Sequence, residues 1–398
     1  MGTPFTDEEI ERIRANTPGC RGDRVHLNHA GSSLPDQRVL DAQIGHLRRE
    51  AEIGGYEAAA EAEAREAAVS TSLARLIGAR PDEIARMEHA TAAWNAAFWS
   101  VPKRSGQRIL THEQDYGANF VAFARAREAH GVEVTVLPSD EWGQIDLGAL
   151  AEALSSPDDV ALISLAWVPT SGGLVNPAGR VGDLARAAGV PFLLDACQAV
   201  GQLDIDVGAI GCDLLSATGR KFLRGPRGTG FLWVSPAILD RLTVSQPDHH
   251  GMDWTLDGGL VPRAGARRFE HWEYSHADWL GLGAAADVAL ELGLDRIQPT
   301  VARRADALRR LLRDAGFVVH DQGIAKAGIV TASHPGVDAA ALRIGLAAAG
   351  INTTTTHPDS ARVDHAARSL EPMLRLSVHV TTTDAELDRA VDVLCALV

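Results

Sequence analysis

Cysteine is scarce in this chain, and the few present do not pair by pattern. The 398 residues hold four, Cys20, Cys197, Cys212 and Cys395. They show no C-x-x-C spacing and no histidine cluster beside them, which argues against a disulfide framework and against zinc, so no metal is expected. No apolar run reaches membrane-spanning length. There is no basic run, no repeat at a fixed period and no low-complexity tract beyond Thr353–Thr356. A net charge of −14 without a basic cluster makes nucleic acid and anionic membranes poor partners. The opening MGTPFTDEEIERIRANTPG is polar and amphipathic and lacks the apolar core of a secretion signal, so a cytoplasmic location is expected. What is present is ample apolar material: 45% of residues are hydrophobic, enough for a large core in two or three domains.

Helical and strand signals alternate from about residue 60 to 235. Helices are predicted at 57–78, 92–101, 119–130, 147–154 and 181–188. Short apolar strands are predicted at 108–111, 133–137, 160–167, 190–194, 213–216 and 231–234. Continuous apolar strands separated by helices imply an α/β fold with a mostly parallel sheet between helices. The pattern breaks into a Gly/Asp/His/Trp-rich loop at 242–270, and a long helix follows at 277–292. The tail reads as a smaller α+β unit, with helices at 301–315, 339–349 and 384–397 and strands at 317–320, 328–333 and 373–378. The expected division is a large domain, 24–275, and a small one made of 1–23 and 276–398.

The chemistry concentrates around Lys221, in the run Ser216-Ala-Thr-Gly-Arg-Lys221-Phe-Leu-Arg-Gly-Pro-Arg-Gly-Thr-Gly230. Upstream lies Asp195-Ala-Cys-Gln198, closing an apolar strand. A strand-end acid together with a lysine before a glycine-rich turn is what a pyridoxal 5′-phosphate site needs. The amine forms a Schiff base with the cofactor aldehyde, and the acid keeps the pyridinium nitrogen protonated. Glu88-His-Ala-Thr91-Ala92 opens a helix whose first amides suit a phosphate, although Thr is also an ordinary N-cap. Thr218 and Arg220 flank the lysine and could reach the same phosphate; a surface ion pair is the other reading of Arg220. Tyr116, in Asp115-Tyr-Gly-Ala-Asn119, could stack on the ring or simply pack on the surface. Arg375, inside an apolar strand, needs an anion: a substrate carboxylate or an internal acid.

Together these motifs resemble the class V aminotransferase family of fold type I PLP enzymes, which includes cysteine desulfurases, isopenicillin N epimerase and hercynylcysteine sulfoxide lyase. The resemblance opens at Leu27-Asn-His-Ala30-Gly31-Ser-Ser33, runs through Ala90-Thr91-Ala92, Asp195-x-x-Gln198-x-x-Gly201 and Thr218-Gly-Arg-Lys221, and closes at Arg375-Leu-Ser-Val-His-Val-Thr-Thr-Thr-Asp384. It implies that Lys221 binds the cofactor and shuttles protons, Asp195 pairs with the ring nitrogen and Gln198 with the phenolic oxygen. Thr91, Ala92, Thr218 and Arg220 would hold the phosphate and Tyr116 would stack on the ring. Thr170 would lie near the phenolic oxygen. Arg375 would bind the substrate carboxylate in a pocket lined by Ala30 and Gly31. It also implies a homodimer with shared active sites, with residues 268–275 reaching the partner's cofactor.

One departure sets the expected reaction. Cysteine desulfurases carry a nucleophilic cysteine shortly before the carboxylate-binding arginine, and residues 350–364 here contain none. Lysine-driven chemistry remains: β-elimination of a C–S bond in a cysteine-derived substrate, with epimerisation or transamination as alternatives. A non-catalytic protein of the same fold is the remote alternative, and the joint presence of Lys221, Asp195 and Arg375 argues against it.

Overall fold

A computed structural model describes residues 2–398 of the chain. Its centre is a seven-stranded sheet of β1 (Ile84–Met87), β2 (Arg108–His112), β3 (Glu133–Leu137), β4 (Val160–Ala166), β5 (Phe192–Asp195), β6 (Leu214–Thr218) and β7 (Gly230–Val234). Their spatial order is β1-β7-β6-β5-β4-β2-β3. Strands β2 to β6 pair in parallel, and β7 runs antiparallel to both its neighbours. Every residue of β4 to β7 is buried, which explains why these strands read as unbroken apolar runs rather than alternating ones. The expected α/β class, with a mostly parallel sheet between helices, is borne out.

Seven helices matter for the site: α1 (Asp7–Ala15), α2 (Gln37–Ile53), α3 (Gly55–Leu76), α4 (Ala90–Ser100), α5 (Gly117–His130), α6 (His276–Leu292) and α7 (Leu294–Asp314). Helix α1 starts with a capping box between Thr6 and Glu9. It packs on the C-terminal part of the chain through Asp7 with Arg304 and through Arg14 with Glu386, both at 3.0 Å. A second sheet has the order β8 (Val318–Val319), β9 (Ile329–Ser333), β11 (Leu374–Ser377), β10 (Thr354–Thr355), all antiparallel. Val25–His26 pairs in parallel with Ile351–Asn352, and Asn28 bridges to Ser377. The segment after residue 24 is thereby tied to the sheet that carries Arg375.

The structure departs from the sequence reading at several places. Helix α2 was not predicted; its sides are mostly polar, with only Val39 and His46 buried. Strand β1 was not predicted either, its short Ile-Ala-Arg-Met run being interrupted by Arg86. Helix α7 begins at Leu294, not Val301, and carries Pro299 inside it. Proline ordinarily ends or breaks such a pattern, but the apolar face of this helix, from Leu294 and Ile297 to Leu312, is buried and holds the turn in place. The predicted loop at 242–270 contains a hairpin, Met252–Trp254 against Leu260–Pro262, and a short 3₁₀ turn at Gly265–Phe269. The threonine run at 353–356 is not idle sequence, since it supplies β10, paired directly to Arg375.

Candidate active site

Sheet topology places the site. Asp195 is the last residue of β5 and sits opposite Ser216 of β6, so the acid and the segment leading to Lys221 leave the sheet side by side at the carboxyl ends of parallel strands. After β6 the chain turns tightly. The Gly219 N–H donates to the Thr229 carbonyl, and the Gly225 N–H donates back to the Gly219 carbonyl at 2.8 Å. Gly201 supports this turn from below. Its φ is +93°, and a Cβ there would lie 2.3 Å from the Leu223 nitrogen and the Phe222 carbonyl carbon, so only glycine fits.

A cavity of about 380 Å³ opens over these residues, walled by Thr91, Tyr116, Thr170, Asp195, Gln198, Thr218, Arg220 and Lys221, with His89, Cys197 and Arg227. A second cavity of about 170 Å³ adjoins it, lined by Ala30, Gly31, Thr354–His357, Ser360 and Arg375. Tyr116, Thr170, Arg220 and Lys221 line both. All the sequence-predicted site residues therefore converge except Ala92, which lines neither. The Ala92 N–H donates to Nδ1 of His89, the N-cap of α4. The chain has three lysines, and Lys221 is the one on the cavity wall. Lys103 caps the carbonyls of Phe98 and Val101, and Lys326 donates to the Gly323 carbonyl at 2.7 Å.

The buried polar groups fit a phosphorylated, cationic-ring cofactor. Asp195 accepts from the Cys197 N–H at 2.9 Å and from Asn119 Nδ2 at 3.5 Å, and burial pushes its carboxyl pKa up against the opposing pull of those bonds and of Lys221. An acid so desolvated is stabilised by a cation brought to it. Gln198 donates to the Ala30 carbonyl at 3.2 Å, while its Oε1 is buried without a partner. The N-terminus of α4 leaves the Ala90 and Thr91 N–H groups free among the described residues. Thr218 already donates its hydroxyl to the Thr229 carbonyl at 3.1 Å. Arg220 donates to the Gly31 carbonyl, which turns its guanidinium toward the second cavity.

Arg375 answers the question that sequence left open. Among the described residues it has no acidic partner. It donates to the Thr170 carbonyl at 3.0 Å and to Thr170 Oγ1 at 2.9 Å, and its Nε is buried with no acceptor. Burial, and then the neighbouring Arg220, lower its pKa to about 10, so it stays charged at neutral pH. The loop that carries Ala30 and Gly31 is pinned beside it, since the Ala30 N–H donates to Ser377 Oγ at 2.8 Å and the Ser33 N–H to the Arg220 carbonyl at 2.8 Å.

Three contributors escaped the sequence reading. Asn119 bridges Asp195 and Asp115, donating to Asp115 Oδ1 at 2.8 Å. Asp115 is fully buried and accepts from Thr111, Ser164 and the Tyr116 N–H, yet burial first, and the Asp195 charge beside it, raise its pKa to about 6. His89 caps α4 at the cavity mouth. The signals were the Asp115-to-Asn119 spacing and a histidine just before Thr91, but neither names a partner without the fold.

Residues 25–390 match the profile of the family described as aminotransferase class-V. The chain is similar to a probable hercynylcysteine sulfoxide lyase of Mycobacterium tuberculosis, 30% identical over 397 residues, covering 99% of this chain and 95% of that one. It is similar to an isopenicillin N epimerase of Streptomyces clavuligerus, 32% identical over 346 residues, covering 82% and 83%. Its fold superposes on that of a C-DES mutant with glycine covalently linked to the PLP cofactor, with a TM-score of 0.86 at 19% identity, covering 96% of this chain and 98% of that one.

Proposed function

The chain belongs to the class V aminotransferase family, and from that premise we propose that it is a lyase that breaks a C–S bond by β-elimination in a cysteine-derived amino acid. Pyridoxal 5′-phosphate is its cofactor. The observation that carries the reading is Arg375, an enclosed guanidinium with no acidic partner, facing a cavity shared with Lys221. An amino-acid carboxylate supplies the missing anion and sets its Cα toward the lysine amine.

Bound at Lys221, the cofactor supplies an electron sink for the charge that develops at the substrate Cα. The protein's part is positional and protonic. Asp195, oriented by Asn119, would keep a proton on the ring nitrogen. Gln198 and Thr170, on the same cavity wall, would stand by the phenolic oxygen, and Tyr116 would cover the ring. The free Ala90 and Thr91 amides at the head of α4 would hold the phosphate end, and Thr218 and Arg220 would join them on turning from the Thr229 and Gly31 carbonyls; Ala92, whose N–H is given to His89, would not. Lys221 Nζ takes the proton from Cα, and the sulfur leaves Cβ with the C–S electron pair. With water the account balances: R–S–CH2–CH(NH3⁺)–COO⁻ + H2O gives R–SH, pyruvate and ammonium. No persulfide relay is required, because residues 350–364 carry no cysteine. Cys197, on the cofactor cavity wall, has its thiol pKa raised by burial and stays protonated.

Similarity to the sulfoxide lyase over nearly the whole chain supports elimination; similarity to the epimerase supports reprotonation of Cα as the second reading. The proposal includes a homodimer, supported by exposed Trp254, Leu256, Leu260 and Trp272 around the 252–262 hairpin. It also includes the 24–275 and 1–23/276–398 domain division and a cytoplasmic location. No helix among the described residues is long and apolar enough to cross a membrane. The test is a screen of cysteine S-conjugates and their sulfoxides, read as pyruvate release. Solvent deuterium entering Cα without pyruvate would replace elimination with epimerisation, and amino transfer to a 2-oxo acid would replace it with transamination.

A further inference from the structure

We propose that His46, Glu66 and His276 form a binding site for one divalent transition-metal ion, Zn²⁺ by donor set, which pins three helices together beside the active site. The residues come from α2, α3 and the first position of α6, and one donor atom from each lies within 4.8 Å of the others. The imidazoles of His46 and His276 face each other with centroids 5.8 Å apart.

Two observations point to an ion rather than a plain hydrogen-bonded cluster. His46 is 1% exposed, and neither of its ring nitrogens has a hydrogen-bond partner. Glu50 Oε1 comes to 3.1 Å from Nε2, one helical turn on, but without hydrogen-bond geometry. A buried imidazole with no hydrogen bond at either nitrogen, and only the Glu50 carboxylate beside one of them, is unusual. In addition, Glu66 is oriented by an outer layer of donors. The Tyr274 hydroxyl donates to its Oε2 at 2.5 Å, Trp279 Nε1 donates to its backbone carbonyl at 3.3 Å, and Oε1 shares a hydrogen bond with His276 Nδ1 at 2.5 Å that a bound ion would replace. Metal-binding carboxylates are held this way by neighbouring groups.

Two imidazoles and one carboxylate are a donor set for Zn²⁺, not for Mg²⁺ or Ca²⁺, which demand oxygen. Tetrahedral zinc at about 2.1 Å from each donor sets donors roughly 3.4 Å from one another, so on binding the widest pair, at most 4.8 Å apart, closes and the Glu66–His276 contact, at 2.5 Å, opens by about 1 Å. Glu50 or a water fills the fourth position. The site lies next to the catalytic cavity: Tyr274, Ser275 and Trp279 share a small pocket with Arg86 and Gly228, and Gly228 also lines the cofactor cavity.

The test uses holoenzyme treated with chelator, dialysed and titrated with Zn²⁺ by calorimetry, with thermal unfolding in parallel. The expected result is one saturable ion per chain and a rise in Tm of several degrees. His276→Ala and the isosteric Glu66→Gln should weaken binding at least tenfold and abolish the Tm rise, while retaining cofactor absorbance as the sign of an intact fold. The absence of a saturable site in wild type overturns the proposal. So does equal binding by a variant that keeps its cofactor. Should His276→Ala fail to fold, Glu66→Gln and the wild-type titration decide the matter.

Discussion

Replacing Arg375 by Met separates two roles that a buried arginine can play. In an internal ion pair, its removal strands a buried carboxylate and costs about 3–5 kcal/mol of stability. Arg375 has no such partner: it gives up two hydrogen bonds to Thr170 and relieves an Nε that has none. Methionine fills similar space with an unbranched chain. The stability of Arg375→Met should therefore stay within about 1 kcal/mol of wild type, a Tm change of a few degrees at most. The bound cofactor should remain, because the residues proposed to hold it line the larger cavity. Turnover should not survive: losing a guanidinium against an enclosed carboxylate costs about 2–5 kcal/mol, which is roughly 30-fold to several thousand-fold in kcat/KM. The assays are thermal unfolding, the visible absorbance of the holoenzyme and steady-state pyruvate release. A collapse of stability beyond about 3 kcal/mol would expose a structural ion pair. An unchanged kcat/KM would show that no substrate carboxylate binds there.

Other outcomes follow from the same geometry. Asp195→Asn keeps the shape but not the charge at the ring nitrogen, and should lower kcat by about 10²–10³ with cofactor still bound. Asp115, raised to about 6 from an ordinary 3.8, lends the cofactor-free fold stability that is fully present below the ordinary value and lost as pH rises through about 6. The loss is up to about 3 kcal/mol, and Asp115→Asn should flatten that part of the stability–pH curve measured by denaturant unfolding. Gly201→Ala places a Cβ against the Phe222–Leu223 backbone at positive φ; it should cost about 2–5 kcal/mol in unfolding experiments and loosen the turn that carries Lys221.

The sheet was legible because β4 to β7 are buried on both faces, so the sequence shows continuous apolar runs such as Val160–Ala166. Helix α2 was not legible, since it buries only Val39 and His46 and leaves Ile44 and Leu47 exposed among polar residues. Pro299 concealed the start of α7, because propensity argued for a break that packing overrides. At the site, Lys221, Asp195 and Gln198 stood out by local spacing. What local spacing could not reveal was an absence: Arg375 has no acid beside it, and this emerges only once β9, β10 and the Thr170 loop are in place. The bridging of Asp115 and Asp195 by Asn119 is likewise a contact between segments distant in sequence. His46, Glu66 and His276 carry no motif at all; three separate helices bring them together.

The central claim is that Lys221 is the residue that holds the cofactor. Borohydride reduction of the holoenzyme, followed by peptide mass spectrometry, tests it most directly, since only Lys103 and Lys326 compete in the sequence. The expected result is the pyridoxyl mass on the Lys221 peptide, and its loss together with turnover in Lys221→Ala. A label on Lys103 or Lys326, or full activity in Lys221→Ala, would contradict the account.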